Sequence, residues 1–451
     1  MKYQIDRSLQ DLPGGRQVMG GSPLKIFTLT SGGQRMLQRL RAGEDLGRNV
    51  LIDRLELGGA IHPTPTDGPY SRDDVTVVVP AYGAVRIADF GPRLIVVDDA
   101  SPAGRPSVPA HATVLRRETN GGPGAARMTG LAAVTTALVA FVDADVTVAE
   151  GWLEGLLPHF VDERVALIAP RVRASPGSTV FATFEQVRSP LDLGDEPASV
   201  RARTRVSYVP SAAIVVRVDA LRSIGGFDDA LRTGEDVDMV WRLVRGGYIA
   251  RYEPSIVVHH DVRPDLRAWL KQRSGYGQSA GPLARRHPGA LAPLGVSGWS
   301  AAVWALIGLG QPVAAVAVAA GTAVALTKKL PNLPRRTALN LVRFGHLGAG
   351  KQIAAAITRT WWPIAVVAAL FSKRARRILL VSAVVPALLD WRSERPALHP
   401  VRYLALRLLD DGSYGFGVWK GAWLARTVEP LVPDLTSWPR PSRFERRSGA
   451  R

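Results

Sequence analysis

Cysteine is absent from this 451-residue chain. That excludes thiolate zinc sites, iron–sulfur clusters, cysteine nucleophiles and disulfide staples together, and it fits a reducing compartment. Acidic residues are scarce beside basic ones, 39 Asp and Glu against 57 Lys and Arg, for a net charge of +18. Charged residues are only 21% of the chain and apolar residues 46%, a balance that excludes wholesale disorder and collagen-like structure. Met1–Asp6 lacks an apolar core, so no cleaved signal peptide is expected. No internal repeat is visible, and the length suggests about three units.

The charge is unevenly placed. From Thr327 onward there are 22 Lys and Arg against 7 Asp and Glu, a surplus of 15, which leaves +3 for the preceding 326 residues. Just before this basic quarter, residues 288–327 contain no Asp, Glu, Lys or Arg. The densest apolar part, Trp299–Leu326, is long enough to span a bilayer, which takes ~20 helical residues. Gly308, Gly310, Gln311 and Pro312 interrupt it, so a broken or re-entrant helix pair fits equally. Two shorter apolar runs, Trp361–Phe371 and Ile378–Leu389, flank Lys373-Arg374-Ala375-Arg376-Arg377. Helices lying against anionic head groups explain this interleaving better than nucleic acid does, because no aromatic stacking pattern accompanies the basic residues. A cytoplasmic-leaflet membrane location and no nucleic-acid partner are therefore expected. The competing reading is a soluble helical domain with these segments buried.

Residues 1–70 read as a small separate domain. Turn signals bound strands at Arg16–Met19 and Leu24–Leu29, Thr30-Ser31 caps a helix, and a second helix runs over roughly 45–57. Ile61 to Pro69, rich in proline, reads as a linker. Residues 71–287 alternate strands and helices: Asp74–Val79 stopped by Pro80, Leu94–Val97, Val114–Arg116, a helix over Gly124–Val134, and Ala137–Val142. Such alternation predicts an α/β fold with a buried, largely parallel sheet, whose ligands bind beyond the carboxyl ends of the strands. Residues 288–451 form the apolar and basic helical remainder.

Polar residues at those strand ends are the chemical candidates. Asp143 and Asp145 follow a buried strand two residues apart, and on an extended backbone both would face one ligand. Their hard oxygens suit Mg²⁺ or Mn²⁺ beside a diphosphate. Asp98-Asp99-Ala100-Ser101 closes another strand; its carboxylates could accept from a nucleoside, or serve as turn caps. Asn120 to Arg127 is a glycine-rich stretch opening a helix, neither a dinucleotide fingerprint nor a P-loop. Arg127, one turn in, could reach a nucleotide or the strand-end carboxylates. Glu235, Asp236 and Asp238 crowd a helix start ahead of Trp241 and Arg242, where a carboxylate could be a general base or simply complement the helix dipole. His259-His260 ends an apolar strand, and one of the two points inward as a possible metal ligand.

Taken in order, these segments resemble the family 2 glycosyltransferases with the GT-A fold. The resemblance rests on Val75–Tyr82, Val97–Ser101, Asn120–Arg127, Phe141–Asp145, Gly225–Asp228, Glu235–Arg242 and Val258–His260. It implies a nucleotide-diphospho-sugar transferase core with a Rossmann-like mixed sheet. It also implies that Asp98, Asp99, Arg127 and Asp143 bind a UDP-sugar donor. Asp145, with Asp143 and His260, would hold a divalent Mn or Mg, and Asp236 would be the base of an inverting displacement. Glu235, Trp241, Arg242, Arg273 and Tyr276 would line the acceptor groove. Trp241-Arg242 reverses the order found in processive synthases, so the resemblance stops short of them.

Across the whole chain the arrangement resembles the mycofactocin system branch of that family. This implies glucose transfer from UDP-glucose, in β-1,4 linkage, to a peptide-derived cofactor precursor. The N-terminal domain is similar to small winged-helix peptide-recognition modules. Two alternatives stand beside this: a rhamnosyl-type or other transferase acting on a cell-wall polyprenyl lipid, and a non-enzymatic, membrane-bound peptide-binding scaffold.

Overall fold

The computed structural model describes residues 1–102, 104–330 and 333–435; the basic residues expected at 436–451 lie outside the described residues. The chain forms two compact units, one of residues 1–176 and 188–262, the other of 177–187 and 263–451. Residues 263–287 thus group with the C-terminal helices.

The first unit begins with β1 (Lys2–Ile5), β2 (Gln10–Asp11), β3 (Gln17–Gly20), β4 (Lys25–Thr28), α1 (Ser31–Arg41), α2 (Val50–Leu57) and β5 (Ile61–Thr64). Strands β2, β3 and β4 form one small sheet, and β1 pairs antiparallel with β5. The expected linker therefore starts only after Thr64. Ile61, His62 and Pro63 are buried in a ribbon, where a proline is tolerated because β5 has a single neighbour. Helix α2 starts at Val50, not near 45, because the Asn49 side chain accepts from the Leu51 and Ile52 amides and caps it there. Phe27, Leu37, Ile52, Leu55 and Ile61 give this domain its own core. Ion pairs Arg48–Asp162, Arg251–Glu56 and Arg205–Asp6 tie it to the larger domain.

The larger domain contains β6 (Val75–Ala81), β7 (Leu94–Asp98), β8 (Thr113–Arg116), α3 (Pro123–Ala132), β9 (Leu138–Val142), β10 (Val146–Val148), α4 (Trp152–Leu156) and β11 (Val165–Ala174). Next in the chain comes α5 (Val180–Arg188), most of which belongs to the second unit. The domain resumes with β12 (Ala198–Ser199), β13 (Ala213–Arg217), α6 (Val218–Ser223), α7 (Glu235–Arg245) and β14 (Ile249–His260). Among the described residues these make a nine-stranded mixed sheet, ordered β10-β14-β11-β13-β9-β6-β7-β8 with β12 beside β14. Strands β8, β7, β6 and β9 are parallel, and β13 reverses against β9.

Continuous apolar runs are what a strand covered on both faces requires. Every residue of β7, β9 and β13 is buried, each large apolar side chain contributing about 1.5–3 kcal/mol. Strand β6 continues through Pro80 to Ala81 instead of stopping at it. Pro80 pairs with β7, whereas β9 pairs with β6 only as far as Val78, so the missing amide costs no ladder bond on that side.

The second unit is helical: α8 (Leu266–Gln278), α9 (Ala280–Arg286), α10 (Gly298–Gly308), α11 (Pro312–Lys329), α12 (Arg335–Arg359), α13 (Trp362–Phe371), α14 (Lys373–Glu394) and α15 (Pro400–Leu424). Helices α8 and α15 meet backbone to backbone. A Cβ at Gly277 would lie 2.0 Å from the Tyr414 carbonyl, and one at Gly417 2.0 Å from that of Ser274. Their buried charges are paired: Arg273 with Glu185 and Asp410, and Asp411 with Arg359 of α12. The uncharged window is two helices broken at Gly308–Pro312. Lys373–Arg377 forms the first turns of α14, started by the Ser372 side chain accepting from the Ala375 amide.

Candidate active site

The candidate residues converge at the carboxyl ends of β7, β9 and β14 and at the start of α7. Asp143 and Asp145 follow β9, but not on an extended backbone. The Val146 amide donates to the Asp143 carbonyl at 3.1 Å, closing a tight turn, and the Asp261 amide donates to the Asp145 carbonyl at 3.0 Å. The turn, rather than the pleat, brings the two carboxylates together. Of the two histidines ending β14, the strand alternation buries His260 and leaves His259 partly exposed. His260 Nε2 lies 3.4 Å from Asp145 Oδ1. One ligand atom from each of Asp143, Asp145 and His260 falls within 4.8 Å of the others.

Arg127 organises the floor of this cluster. It is 2% exposed, and it donates from Nη2 to Asp143 Oδ1 at 2.6 Å and from Nη1 to Glu235 Oε1 at 2.9 Å. Its guanidinium also stacks over Phe227, 5.5 Å from the ring centroid. Burial disfavours its charge, but Asp143 and Glu235 more than offset that and raise its pKa. Phe227 in turn packs edge-on against Phe141 at 5.2 Å, so the apolar end of β9 and the Gly225–Asp228 turn fix Arg127 from below.

Asp236 stands next to Glu235 in the first turn of α7, which Gly234 enters with a φ of +78°, a conformation only glycine adopts freely. Asp236 Oδ2 accepts from the Ser211 amide at 3.1 Å. Burial pushes its pKa up against the hydrogen bonds that oppose the rise. Burial and then the Asp236 charge push Glu235 up to about 7. Two adjacent, poorly solvated carboxyls whose pKa values are both raised are suited to taking up one proton. Trp241 Nε1 donates to the Ser207 carbonyl at 2.7 Å. Arg242 pairs with Asp238 and donates to the carbonyls of Ile224 and Gly226. Both thus hold neighbouring loops onto α7.

Asp98 and Asp99 are differently placed. Asp98 is fully buried, accepts from the Ser101 amide at 3.0 Å and pairs with Arg116. Burial would raise its pKa, but Ser101 and Arg116 outweigh it and lower it. Asp99 accepts from the amides of Gly121 and Gly122 at 3.0 and 2.7 Å and pairs with Arg117 at 2.9 Å. The glycine-rich stretch before α3 therefore cradles a carboxylate of the protein itself. Arg273 and Tyr276 belong to α8 in the second unit, where Arg273 is 1% exposed and committed to Glu185 and Asp410. Sequence reasoning passed over Ser211, Phe227, Arg116 and Arg117 as participants. For the two arginines the signal was their position at the end of β8, level with Asp98 at the end of β7.

Comparison with known proteins gives the family. The model of glycosyl transferase family 2 matches residues 89–225. The pre-mycofactocin glycosyltransferase of Mycobacterium tuberculosis is 41% identical over 458 aligned residues, covering 96% of this chain and 97% of that one. The chain belongs to that glycosyltransferase family. The enzyme also shares 24% identity with glycosyltransferase AglE of Haloferax volcanii, over 41% of this chain and 62% of the other. Its structure aligns with a mannosyltransferase of Pyrobaculum calidifontis, solved in complex with GDP-Man and Mn2+, at a TM-score of 0.41 and 16% identity, covering 80% of this chain and 89% of that chain. The enzyme is a glycosyltransferase with a GT-A core, as its sequence led us to expect.

Proposed function

We propose that this glycosyltransferase moves glucose from UDP-glucose onto a premycofactocin acceptor, extending it in β-1,4 linkage with inversion at each transfer. The observation that carries the reading is the near full-length identity to the pre-mycofactocin glycosyltransferase. The chemistry of the site supports it. Two carboxylates and an imidazole with convergent ligand atoms fit a divalent cation of the Mg²⁺ or Mn²⁺ kind. Asp143, Asp145 and His260 would hold it, and its charge would stabilise a departing diphosphate.

The chain's own residues do the rest. Arg127 holds Asp143 by one oxygen, which leaves the other free to face the ligand. Asp236 removes the proton of the acceptor hydroxyl as that oxygen attacks the anomeric carbon, and the bond to the diphosphate oxygen breaks. Its raised pKa makes it a stronger base than an exposed aspartate, with Glu235 tuning it from the adjacent position. Asp98 and Asp99 shape the nucleoside pocket through the Ser101 and Gly121–Gly122 backbone they hold.

The test is mass spectrometry of products formed by purified enzyme from a panel of UDP-sugars, with premycofactocin and a polyprenyl phosphate as competing acceptors. Successive hexose additions to premycofactocin, from UDP-glucose above other donors, are expected. Transfer to the polyprenyl lipid alone would replace this reading with the lipid-acceptor one.

A further inference from the structure

Two helix corners of the second unit present large apolar side chains to solvent. At the α10–α11 corner, where Gly310 takes a φ of +74°, Leu309 is 54% and Val313 83% exposed. At the α13–α14 corner Leu370 is 70% and Phe371 85% exposed. The two corners belong to one surface. A Cβ at Gly308 would lie 3.4 Å from Ile378 Cδ1, and one at Gly310 3.6 Å from Arg374 Nη2. Immediately after Phe371 and Ser372 come the exposed Lys373, Arg374, Arg376 and Arg377. Bare apolar tips beside a cluster of four cations are costly in water, yet each component is favourable where acyl chains meet anionic head groups.

Length decides the depth of such contact. Helices α10 and α13 have 11 and 10 residues, ~15–17 Å, about half the hydrocarbon thickness of a bilayer. Among the described residues only α11, with 18 residues, is by itself long and apolar enough to cross. Exposure continues along the neighbouring helices, at Val316 of α11 and Leu380 of α14, so the contact is a surface and not a single side chain.

We propose that the α10–α11 and α13–α14 corners together form a docking surface for an anionic lipid bilayer. Leu309, Val313, Leu370 and Phe371 enter one leaflet, and Lys373–Arg377 bind its phosphate head groups. The proposal is independent of which acceptor the enzyme glycosylates.

Flotation of the full chain, purified in mild detergent, with vesicles of phosphatidylcholine alone or mixed with phosphatidylglycerol tests it. The wild type should float with the anionic vesicles and be released from them by salt. Leu370→Glu with Phe371→Glu should abolish flotation while circular dichroism and UDP-sugar hydrolysis stay unchanged. Arg374→Gln, Arg376→Gln and Arg377→Gln should each weaken anionic binding by roughly fivefold. Equal flotation on neutral vesicles, unmoved by either set of variants, would overturn the proposal. So would a wild type that stays at the bottom of the gradient, or a lipid-free dimer that the Leu370 and Phe371 variants split while flotation persists.

Discussion

Strand β6 has one aspartate pair on each side of it, Asp98–Asp99 at the end of β7 and Asp143–Asp145 beyond β9, and the protein treats them in opposite ways. The first pair is buried and saturated by the chain's own donors: the Ser101, Gly121 and Gly122 amides and the Arg116 and Arg117 guanidiniums. The second is a little under a third exposed on each side chain, faces His260, and has one of its oxygens held by Arg127. Identical residue types at equivalent places in one sheet thus become scaffold in one case and ligand-facing chemistry in the other. What separates them is how many donors the following loop supplies. An aspartate followed by amides and a neighbouring basic pair is consumed; one followed by a tight turn stays partly exposed beside a histidine.

The largest expected effect lies outside both pairs and sets the scale for them. Asp236→Asn should lower kcat by roughly 10²–10⁴, the range for losing a general base, with the Ser211 contact and the melting temperature preserved. Asp145→Asn should follow, with divalent-cation affinity falling by ~100-fold or more by titration, since even outer-shell losses at metal sites cost 10–100-fold. Asp99→Ala should act on stability instead. Losing charge-assisted hydrogen bonds from two partly buried amides should cost about 2–3 kcal/mol in a urea unfolding curve, and donor KM should rise more than kcat falls. If Asp99→Ala abolished metal binding and left stability intact, the contrast between the pairs would be broken.

The smallest effect is in pH. The rising limb of kcat/KM should lie above the range of an exposed aspartate, because burial raises the Asp236 pKa and the base must lose its proton to work. Glu235→Gln removes a neighbouring negative charge and leaves Arg127 less neutralised. Asp236 then ionises more easily, so the limb should move to lower pH. A limb that stays in place would show that Glu235 does not tune the base.

Much of this was legible in the sequence. Strands β6, β7 and β9 could be read because a strand buried on both faces needs an unbroken apolar run. Asp143 and Asp145 could be picked out because polar residues ending such a run must face something. The helical break at Gly308–Pro312 was equally plain. Other features were hidden by tertiary context. Pro63 in β5 and Pro80 in β6 looked like terminators, but each lies where no neighbouring strand needs its amide. The basic cluster Lys373–Arg377 could be placed between two apolar runs, but that it starts a helix follows from the Ser372 cap. Arg127 was recognisable as an arginine one turn into α3, but its bond to Glu235 spans 108 residues of sequence, which no local pattern encodes. The same holds for the Ser211 amide on Asp236. The consumption of the Gly121 and Gly122 amides by Asp99 depends on how the loop folds back on β7, which composition alone does not encode.

The contrast between the aspartate pairs rests most directly on one measurement, the Mn²⁺ binding isotherm followed by electron paramagnetic resonance for the wild type, Asp145→Asn and Asp99→Asn. The account predicts one bound ion per chain in the wild type and in Asp99→Asn, and a loss of ~100-fold in affinity for Asp145→Asn. Undiminished Mn²⁺ binding in Asp145→Asn, with binding lost in Asp99→Asn, would contradict it.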